Sequence, residues 1–435
     1  MKQRIDSVVF RSLVCSMTLI GGCPLEFATL GANPATPPMA PATNVLTLQS
    51  ALRLALDNNP ELRASSGRMD AATGRASQAA LWPNPELTLE AEDWPVSGGG
   101  NFSDAKQTIG LAQTVPFPGK KKLEHQIGLS DVRLSEAALS LRRMELIRDV
   151  KSAFYRVLAA ERLVQVADEL VSVAEASSAT ARKRVTAGAA ADHEQLRAEI
   201  PLEQARIELS MFQHELTTAR HALALLLGRP ALAGAPITGS LRETANLALL
   251  EQKQEQWLSA HPGLLVVKAA RERAEFELRR ARLEPYPDVR MGLAGGRIGE
   301  TGQSIVQLGL SVPLPIIDRS KGRKQEAQAN VRIAGADQDA IEQRLLGEWS
   351  TAGKRLLAAQ EQAANYRERI LPKANEALRL VQMGFEQGKF SFMDLLDTQR
   401  TTAEARLAYQ QKLLELNLAQ TELESLAGET MRLQP

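Results

Sequence analysis

The sequence predicts a mainly α-helical protein with a small β part, in which one helix–strand–strand–helix plan occurs twice. Three observations support this fold class. Long stretches without proline repeat apolar residues at helical spacing, and two pairs of short segments alternate apolar with polar residues, which is the period of a strand. The same proline and glycine positions also recur about 200 residues apart. Residues 46–229 and 246–428 are therefore predicted to be two copies of one structural unit.

The repeat is recognised by its proline motifs. Three motifs of the first half have counterparts in the second: Asn59-Pro60 with His261-Pro262, Pro83-Asn84-Pro85 with Pro285-Tyr286-Pro287, and Val115-Pro116-Phe117-Pro118 with Val312-Pro313-Leu314-Pro315. Gly188 and Gly388 recur at a similar separation. Because proline and glycine constrain backbone geometry in characteristic ways, their recurrence implies a recurring architecture.

Four predicted strands lie between these motifs. They begin near Pro85, Gln107, Pro287 and Gln303. Each covers about ten residues, the length that a tilted strand needs to cross a bilayer. Aromatic residues flank the first pair, as at two membrane interfaces: Trp82 and Phe117 at one end, Trp94 and Phe102 toward the other. Spacing alone also allows two hairpins packed on a soluble core.

The remainder is predicted to form long helices. Residues 120–187 contain no proline, and apolar residues recur at seven-residue spacing. At about 1.5 Å per residue, this segment predicts a rod of about 100 Å. Three further amphipathic segments could pack along it: 192–227, 323–370 and 373–426. A simple dimeric coiled coil is the alternative.

Composition excludes several classes of function. Lys and Arg number 52 against 51 Asp and Glu, without a long basic stripe, so nucleic acid is not an expected partner. The only cysteines, Cys15 and Cys23, are near the N-terminus, so no disulfide or cysteine nucleophile is expected in the body. The five histidines form no convincing ligand set, and no catalytic constellation is apparent. We therefore predict a protein that is not an enzyme and has no cofactor or metal site.

The N-terminus is predicted to direct export. Residues 1–22 have a basic start and a short apolar core, as in a signal peptide. The segment Ile20-Gly21-Gly22-Cys23 resembles a bacterial lipobox, which predicts acylation of Cys23. The alternative is cleavage further on, near residues 40–42, with loss of Cys23. Residues 23–45 are predicted to be a Pro/Ala-rich tether, residues 230–245 a linker, and residues 429–435 a C-terminal tail.

From residue 46 to 428 the chain resembles the TolC family of outer-membrane efflux channels. The order and spacing of several motifs carry the resemblance: Leu48-Gln49-Ser50-Ala51-Leu52, Gln113-Thr114-Val115-Pro116-Phe117-Pro118-Gly119-Lys120, Ile370-Leu371-Pro372-Lys373-Ala374 and Asp394-Leu395-Leu396-Asp397-Thr398-Gln399-Arg400. Within the family, the Pro-Phe-Pro-Gly-Lys sequence is more similar to the heavy-metal branch associated with cobalt, zinc and cadmium efflux than to drug-efflux relatives.

The resemblance implies a homotrimer. Its twelve strands would form one β-barrel in the outer membrane, in contact with lipid, continued by an α-helical tunnel through the periplasm. It also implies two protein partners, a periplasmic adaptor and an inner-membrane pump of the resistance-nodulation-division (RND) class. The chain would be the passive exit duct, with divalent heavy-metal cations as cargo. The alternatives are a duct for drugs or other organic compounds, and a periplasmic adaptor (membrane fusion) protein with one helical hairpin.

The resemblance also implies a periplasmic aperture. Its acidic ring maps to Asp394 and Asp397, shortly after Gly388, and replacing both by alanine is expected to raise the resting conductance. Solvated carboxylates at a helix start are the alternative. Phe390 stands where a basic residue is often expected, so any closing salt bridge must differ here. Three charged residues on the polar strand faces are candidate lumen-lining residues: Glu90, Glu92 and Arg290.

Overall fold

The computed structural model describes residues 45–93, 101–189, 191–251 and 254–428. The predicted signal peptide, Cys23, nearly all of the tether, Trp94 and the C-terminal tail lie outside the described residues.

The described chain follows the duplicated plan. The first half contains α1 (Leu48–Asn58), α2 (Pro60–Ala80), β1 (Glu86–Glu92), β2 (Lys106–Val115), α3 (Lys120–Thr186) and α4 (Asp192–Leu226). The second half contains α5 (Gln254–Ala260), α6 (Pro262–Arg282), β3 (Val289–Ile298), β4 (Ser304–Ser311), α7 (Lys321–Asn365), α8 (Leu371–Glu386) and α9 (Phe392–Leu426). The predicted mainly α-helical class with a small β part is confirmed.

The helix ends follow local sequence. Helix α3 runs for 67 residues, which at about 1.5 Å per residue gives the predicted length of about 100 Å. It ends before Gly188, and α8 ends before Gly388; both glycines have φ of 71°, the left-handed conformation that favours glycine at a helix end. The segment 373–426, predicted as one amphipathic pattern, is therefore divided into two antiparallel helices by the turn at Gly388.

A π-helical turn, Tyr366–Ile370, joins α7 to α8. Pro372 lies two residues after this turn, and its ring nitrogen cannot donate a backbone hydrogen bond, which explains a local departure from α-helical pairing. Helices α7 and α8 therefore follow each other without a loop, and only the turn between them has π-helical hydrogen bonds.

The two hairpins form one antiparallel sheet in the order β1-β2-β3-β4. Strands β2 and β3 pair from Val115 with Val289 to Lys106 with Ile298, and this pairing joins the two halves of the chain. Strands β1 and β4 are the two edges of the sheet.

The apolar core is spread along the helices. One large cluster surrounds Phe154 in the middle of α3, where α1 and α4 pack against it. A second joins α7 to α9 around Leu356 and Leu416, and a small one around Phe392 lies near the turn at Gly388. In the described part of the chain, no helix combines the length and apolar character needed to span a bilayer.

Candidate functional site: strand faces and helix tips

One face of the sheet carries large exposed apolar side chains. The register places Leu87 opposite Leu111, Leu111 opposite Leu293, and Leu293 opposite Leu308. These four leucines form a row across all four strands, and each is more than half exposed. A continuous exposed apolar band of this kind is characteristic of a surface that meets lipid or another protein.

The opposite face carries five of the six charged residues of the described strands; the exception is Arg297, which lies on the same face of β3 as Leu293. Arg290 Nη2 donates to Glu86 Oε2 at 2.7 Å near one end of the sheet, and Lys106 Nζ donates to Glu92 Oε2 at 2.7 Å near the other. Glu90 lies between Glu86 and Glu92 on the same face of β1, since alternate residues share a face. The structure therefore places all three predicted lumen residues on the face away from the leucine row.

Asp394 caps its own helix. It is the third residue of α9, its Oδ2 accepts hydrogen bonds from the Ser391 backbone N–H at 2.9 Å and the Ser391 hydroxyl at 2.7 Å, and its own N–H donates to Ser391 Oγ at 3.2 Å. The Ser391 side-chain and backbone hydrogen bonds hold the pKa of the Asp394 carboxyl below its ordinary value. This reciprocal capping box keeps the carboxylate charged, and it gives Asp394 a structural role as well.

Asp397 differs from Asp394. It lies one turn further along α9 and is exposed. Its backbone carbonyl accepts from Thr401 Oγ1 at 3.0 Å, but within the described residues its carboxylate has no hydrogen-bond or ion-pair partner. Of the two predicted aperture residues, Asp397 is the one whose carboxylate has no partner among the described residues of its own chain.

Phe390 packs over Gly384 at the same tip. The backbone N–H of Lys389 donates to the Gly384 carbonyl at 2.7 Å, which folds the turn back onto α8. The Phe390 ring then occupies the space where a Cβ on residue 384 would stand. Phe390 stands where a basic residue was expected, and it packs its ring on α8 instead of offering a positive charge.

The tips of the two halves lie beside each other. An open cleft of about 500 Å³ is lined by residues of both, among them Arg184 and His193 of the first half and Phe385 and Met393 of the second. The Arg184 guanidinium carbon lies 5.6 Å from the centre of the Phe385 ring, within the range of a cation–π contact. No group of His, Cys, Asp and Glu suited to a metal ion occurs in the described parts of the chain.

A buried charge cluster in the middle of the helices was not predicted from the sequence. Glu424 of α9 accepts from Lys151 of α3 at 2.8 Å and from Arg242 of the linker at 2.9 Å. Burial alone would raise the pKa of Glu424, but the two cations outweigh it and the pKa is lowered. The available signal was Lys151 itself, a charged residue between apolar Val150 and Ala153 on the face that α3 buries.

Comparison with known proteins identifies the class. The family model described as outer membrane efflux protein matches residues 51–229 and 254–429, so the chain belongs to this family. The family consists of outer-membrane channels rather than enzymes, and its channels work as trimers in tripartite efflux systems. The predicted family, location and channel function are confirmed at this level.

Two curated relatives and one solved structure show how similar the chain is to individual proteins. The chain is 29% identical over 390 residues to the cobalt-zinc-cadmium resistance protein CzcC of Cupriavidus metallidurans, covering 89% of this chain and 91% of the relative. It is 24% identical over 302 residues to the nickel-cobalt-cadmium resistance protein NccC of Alcaligenes xylosoxydans xylosoxydans, covering 69% and 67%. A crystal structure of a membrane protein from Pseudomonas aeruginosa superposes with a TM-score of 0.77 at 21% identity, covering 88% of this chain and 93% of that one, which shows a shared fold.

Proposed function

We propose that this chain is the outer-membrane exit duct of a tripartite system that exports divalent heavy-metal cations. The leucine row across the sheet is the observation that carries the duct, because it provides a lipid-facing band on a protein whose long helices extend from the same sheet. The names of two relatives and the Pro-Phe-Pro-Gly-Lys motif support the metal cargo.

The duct forms when three copies associate. A four-stranded sheet with two free edges is too small to enclose a water-filled lumen, whereas three such sheets supply twelve strands. The charged face then lines the lumen with Glu90, Glu92 and Arg290. A periplasmic adaptor and an inner-membrane RND-type pump deliver the cargo, and the duct itself supplies no energy.

Deletion of the gene tests the cargo. We expect the strain to become more sensitive to zinc, cobalt or cadmium while its tolerance to a panel of drugs is unchanged, and expression of the wild-type chain should restore the metal tolerance. Sensitivity to drugs or other organic compounds with unchanged metal tolerance would instead favour an organic-compound duct.

The helix tips form the periplasmic aperture. Three copies of Asp397, with Asp394 beside it, surround the axis and concentrate cations there, as carboxylate rings do in other channels. Because Asp394 also caps α9, alanine at this position removes a cap together with a charge. Asparagine at both positions removes the charges while leaving a side-chain acceptor for the cap.

Planar-bilayer recording of the asparagine variants tests the effect of the carboxylate charges apart from the effect of the helix cap. The double variant Asp394→Asn with Asp397→Asn is expected to raise the resting conductance and weaken cation preference. Asp192→Asn, which removes an exposed charge from the first turn of α4 at the other tip, is the matched control. Unchanged conductance and selectivity in the double variant would contradict the aperture assignment.

A further inference from the structure

The two halves of the chain meet through a specific loop contact below the sheet. Phe117, in the loop after β2, stacks on Tyr286, in the turn before β3, with ring centroids 4.7 Å apart and planes 18° from parallel. The Phe117 N–H donates to Asp288 Oδ1 at 2.8 Å, and Lys120 Nζ donates to the same oxygen at 2.9 Å. Lys120 is only 5% exposed, so this ion pair is well covered on the lysine side.

The start of α3 completes this internal contact. Gly119, the residue before the helix, has φ of 92°, and Leu283 packs beside it, with Cδ1 3.4 Å from where a Cβ on Gly119 would lie. The loop after β2 is thus held against the turn before β3 by one aromatic stack, one backbone N–H hydrogen bond, one ion pair whose lysine is buried, and one apolar contact.

The repeat supplies a second copy of both partners. In the loop after β4, Ser320 precedes α7 and is also left-handed, with φ of 53°, and Lys321 follows it as Lys120 follows Gly119. At the start of β1, Glu86 follows Pro83-Asn84-Pro85 as Asp288, just before β3, follows Pro285-Tyr286-Pro287. The two partners cannot meet in the same way within one chain, because β4 and β1 are opposite edges of the sheet.

Both surfaces are uncovered in the single chain. The loop after β4 has four residues, Ile316–Arg319, that the first half lacks between its last proline and its left-handed residue. Leu314 is 71% exposed, Ile316 69% and Ile317 98%. Lys321 is exposed and, within the described chain, has no ion-pair partner. On the other edge, Leu81, the counterpart of Leu283, is also exposed.

We propose that the loop after β4, residues 312–321, docks on the turn of residues 81–86 in a second copy of this chain. Lys321 pairs with Glu86 of the partner subunit as Lys120 pairs with Asp288 within the chain. The docking repeats the partners of an interface that the chain already forms, with a loop that is four residues longer. Ile316 and Ile317 extend the apolar part of the contact. This inference rests on the trimeric duct of the proposed function.

Charge exchange tests the ion pair. Lys321→Glu and Glu86→Lys are each expected to reduce the fraction of trimer on unboiled gels about tenfold at fixed protein concentration, because each places like charges opposite one another. The double exchange is expected to restore most of the trimer. Arg290→Gln is the control, since Glu86 also accepts from Arg290 within its own chain. Full trimer in both single variants, or no recovery in the double exchange when circular dichroism shows folded protein, would overturn the proposal.

Disulfide cross-linking tests the geometry without altering charge. Within the chain Val115 faces Val289, and the repeat maps this pair onto Val312 and Leu87 of the partner subunit. Val312→Cys with Leu87→Cys is expected to give covalent dimers and trimers on oxidation. Val115→Cys with Val289→Cys is the matched control and should cross-link within one chain. Variants with only one of the introduced cysteines show how much cross-linking arises from the native Cys15 and Cys23.

The outcomes separate the inference from the proposed function. A wild-type chain that forms no trimer in outer membranes would contradict both. A wild-type trimer whose 312–87 pair does not cross-link would overturn the docking geometry and leave the trimeric duct standing.

Discussion

The middle of the helical part and its tips are held in different ways. In the middle, α1, α3 and α4 share the core cluster around Phe154, and the buried Glu424 pairs with the buried Lys151 and with the exposed Arg242. At the tips, the core cluster around Phe392 is small, and Asp394 and Asp397 are exposed. Both regions contain charged residues, but among the described residues only the middle buries a charged pair, Lys151 with Glu424.

This difference indicates where the duct can change shape. Removing a buried charge from its partners is costly, whereas exposed carboxylates are screened by solvent and contribute little to stability. Rearrangement of the tips therefore disturbs few buried contacts, and the middle acts as the fixed frame. The predictions below test this contrast, beginning with the largest expected effect.

The buried cluster is expected to give the largest loss of stability. Glu424→Ala leaves Lys151 buried without its partner, and the free energy of unfolding should fall by about 3–5 kcal/mol. The double variant Lys151→Met with Glu424→Leu should recover much of this loss, because no buried charge is left unpaired and the exposed Arg242 is solvated. Denaturant unfolding of the detergent-solubilised chain, followed by circular dichroism, measures both. Equal losses in the single and double variants would contradict the explanation.

The two proline-motif helix caps are expected to differ. Asn59 Oδ1 accepts from the N–H groups of Glu61 and Leu62, and its Nδ2 donates to the Leu226 carbonyl at 3.1 Å. In the second half, His261 Nδ1 accepts from the Gly263 N–H at 3.1 Å, while its buried Nε2 has no hydrogen-bond partner in the part of the chain that the structure describes. Asn59→Ala should cost about 1–2 kcal/mol, whereas His261→Asn should change stability by less than about 1 kcal/mol. Thermal unfolding compares the two.

Protonation of His261 is expected to lower the stability of the folded chain at acidic pH. Burial, together with the nearby charge of Arg344, lowers the pKa of its imidazole from the ordinary 6.5. The unfolded chain therefore takes up a proton that the folded chain resists, so stability is full above about pH 6.5 and falls as the pH decreases toward the folded pKa. Unfolding midpoints from pH 8 to 5 should decline in the wild type and less in His261→Asn. Identical profiles would show that His261 contributes nothing.

A substitution at Gly384 is expected to loosen the helix tip without changing the global stability of the chain. Gly384→Ala places a methyl group where the Phe390 ring lies, and this half-exposed ring should move into solvent. Amide exchange should accelerate across residues 384–395, while the midpoint of global unfolding stays within a few degrees of the wild type. Gly347→Ala in α7, where an added Cβ meets nothing within 4 Å, is the matched control.

Periodicity and proline motifs were enough to predict the fold. Alternation located the four strands, and the long run without proline from Lys120 located α3. These signals are local, so a single sequence reveals them. The pairing of β2 with β3 into one sheet and the cluster of Lys151 with Glu424 depend on contacts between residues far apart in the chain, which periodicity does not encode.

The candidate site was predicted less completely. The position after Gly388 identified Asp394 and Asp397. It did not show that the Asp394 carboxylate is bound in its own capping box, whereas the Asp397 carboxylate has no partner within the described residues. The Ser391-Phe392-Met393-Asp394 spacing is a capping-box signal that the sequence contained. The packing of Phe390 on Gly384 had no comparable sequence signal. The aperture and lumen roles remain predictions.

Fractionation followed by gel electrophoresis without boiling tests the central claim most directly. The account predicts that the chain sediments with outer membranes, resists extraction by salt, and migrates at the size of a trimer until it is heated, when it migrates as a monomer. A chain that stays in the soluble fraction and migrates as a monomer before heating would contradict the account of a membrane-embedded duct.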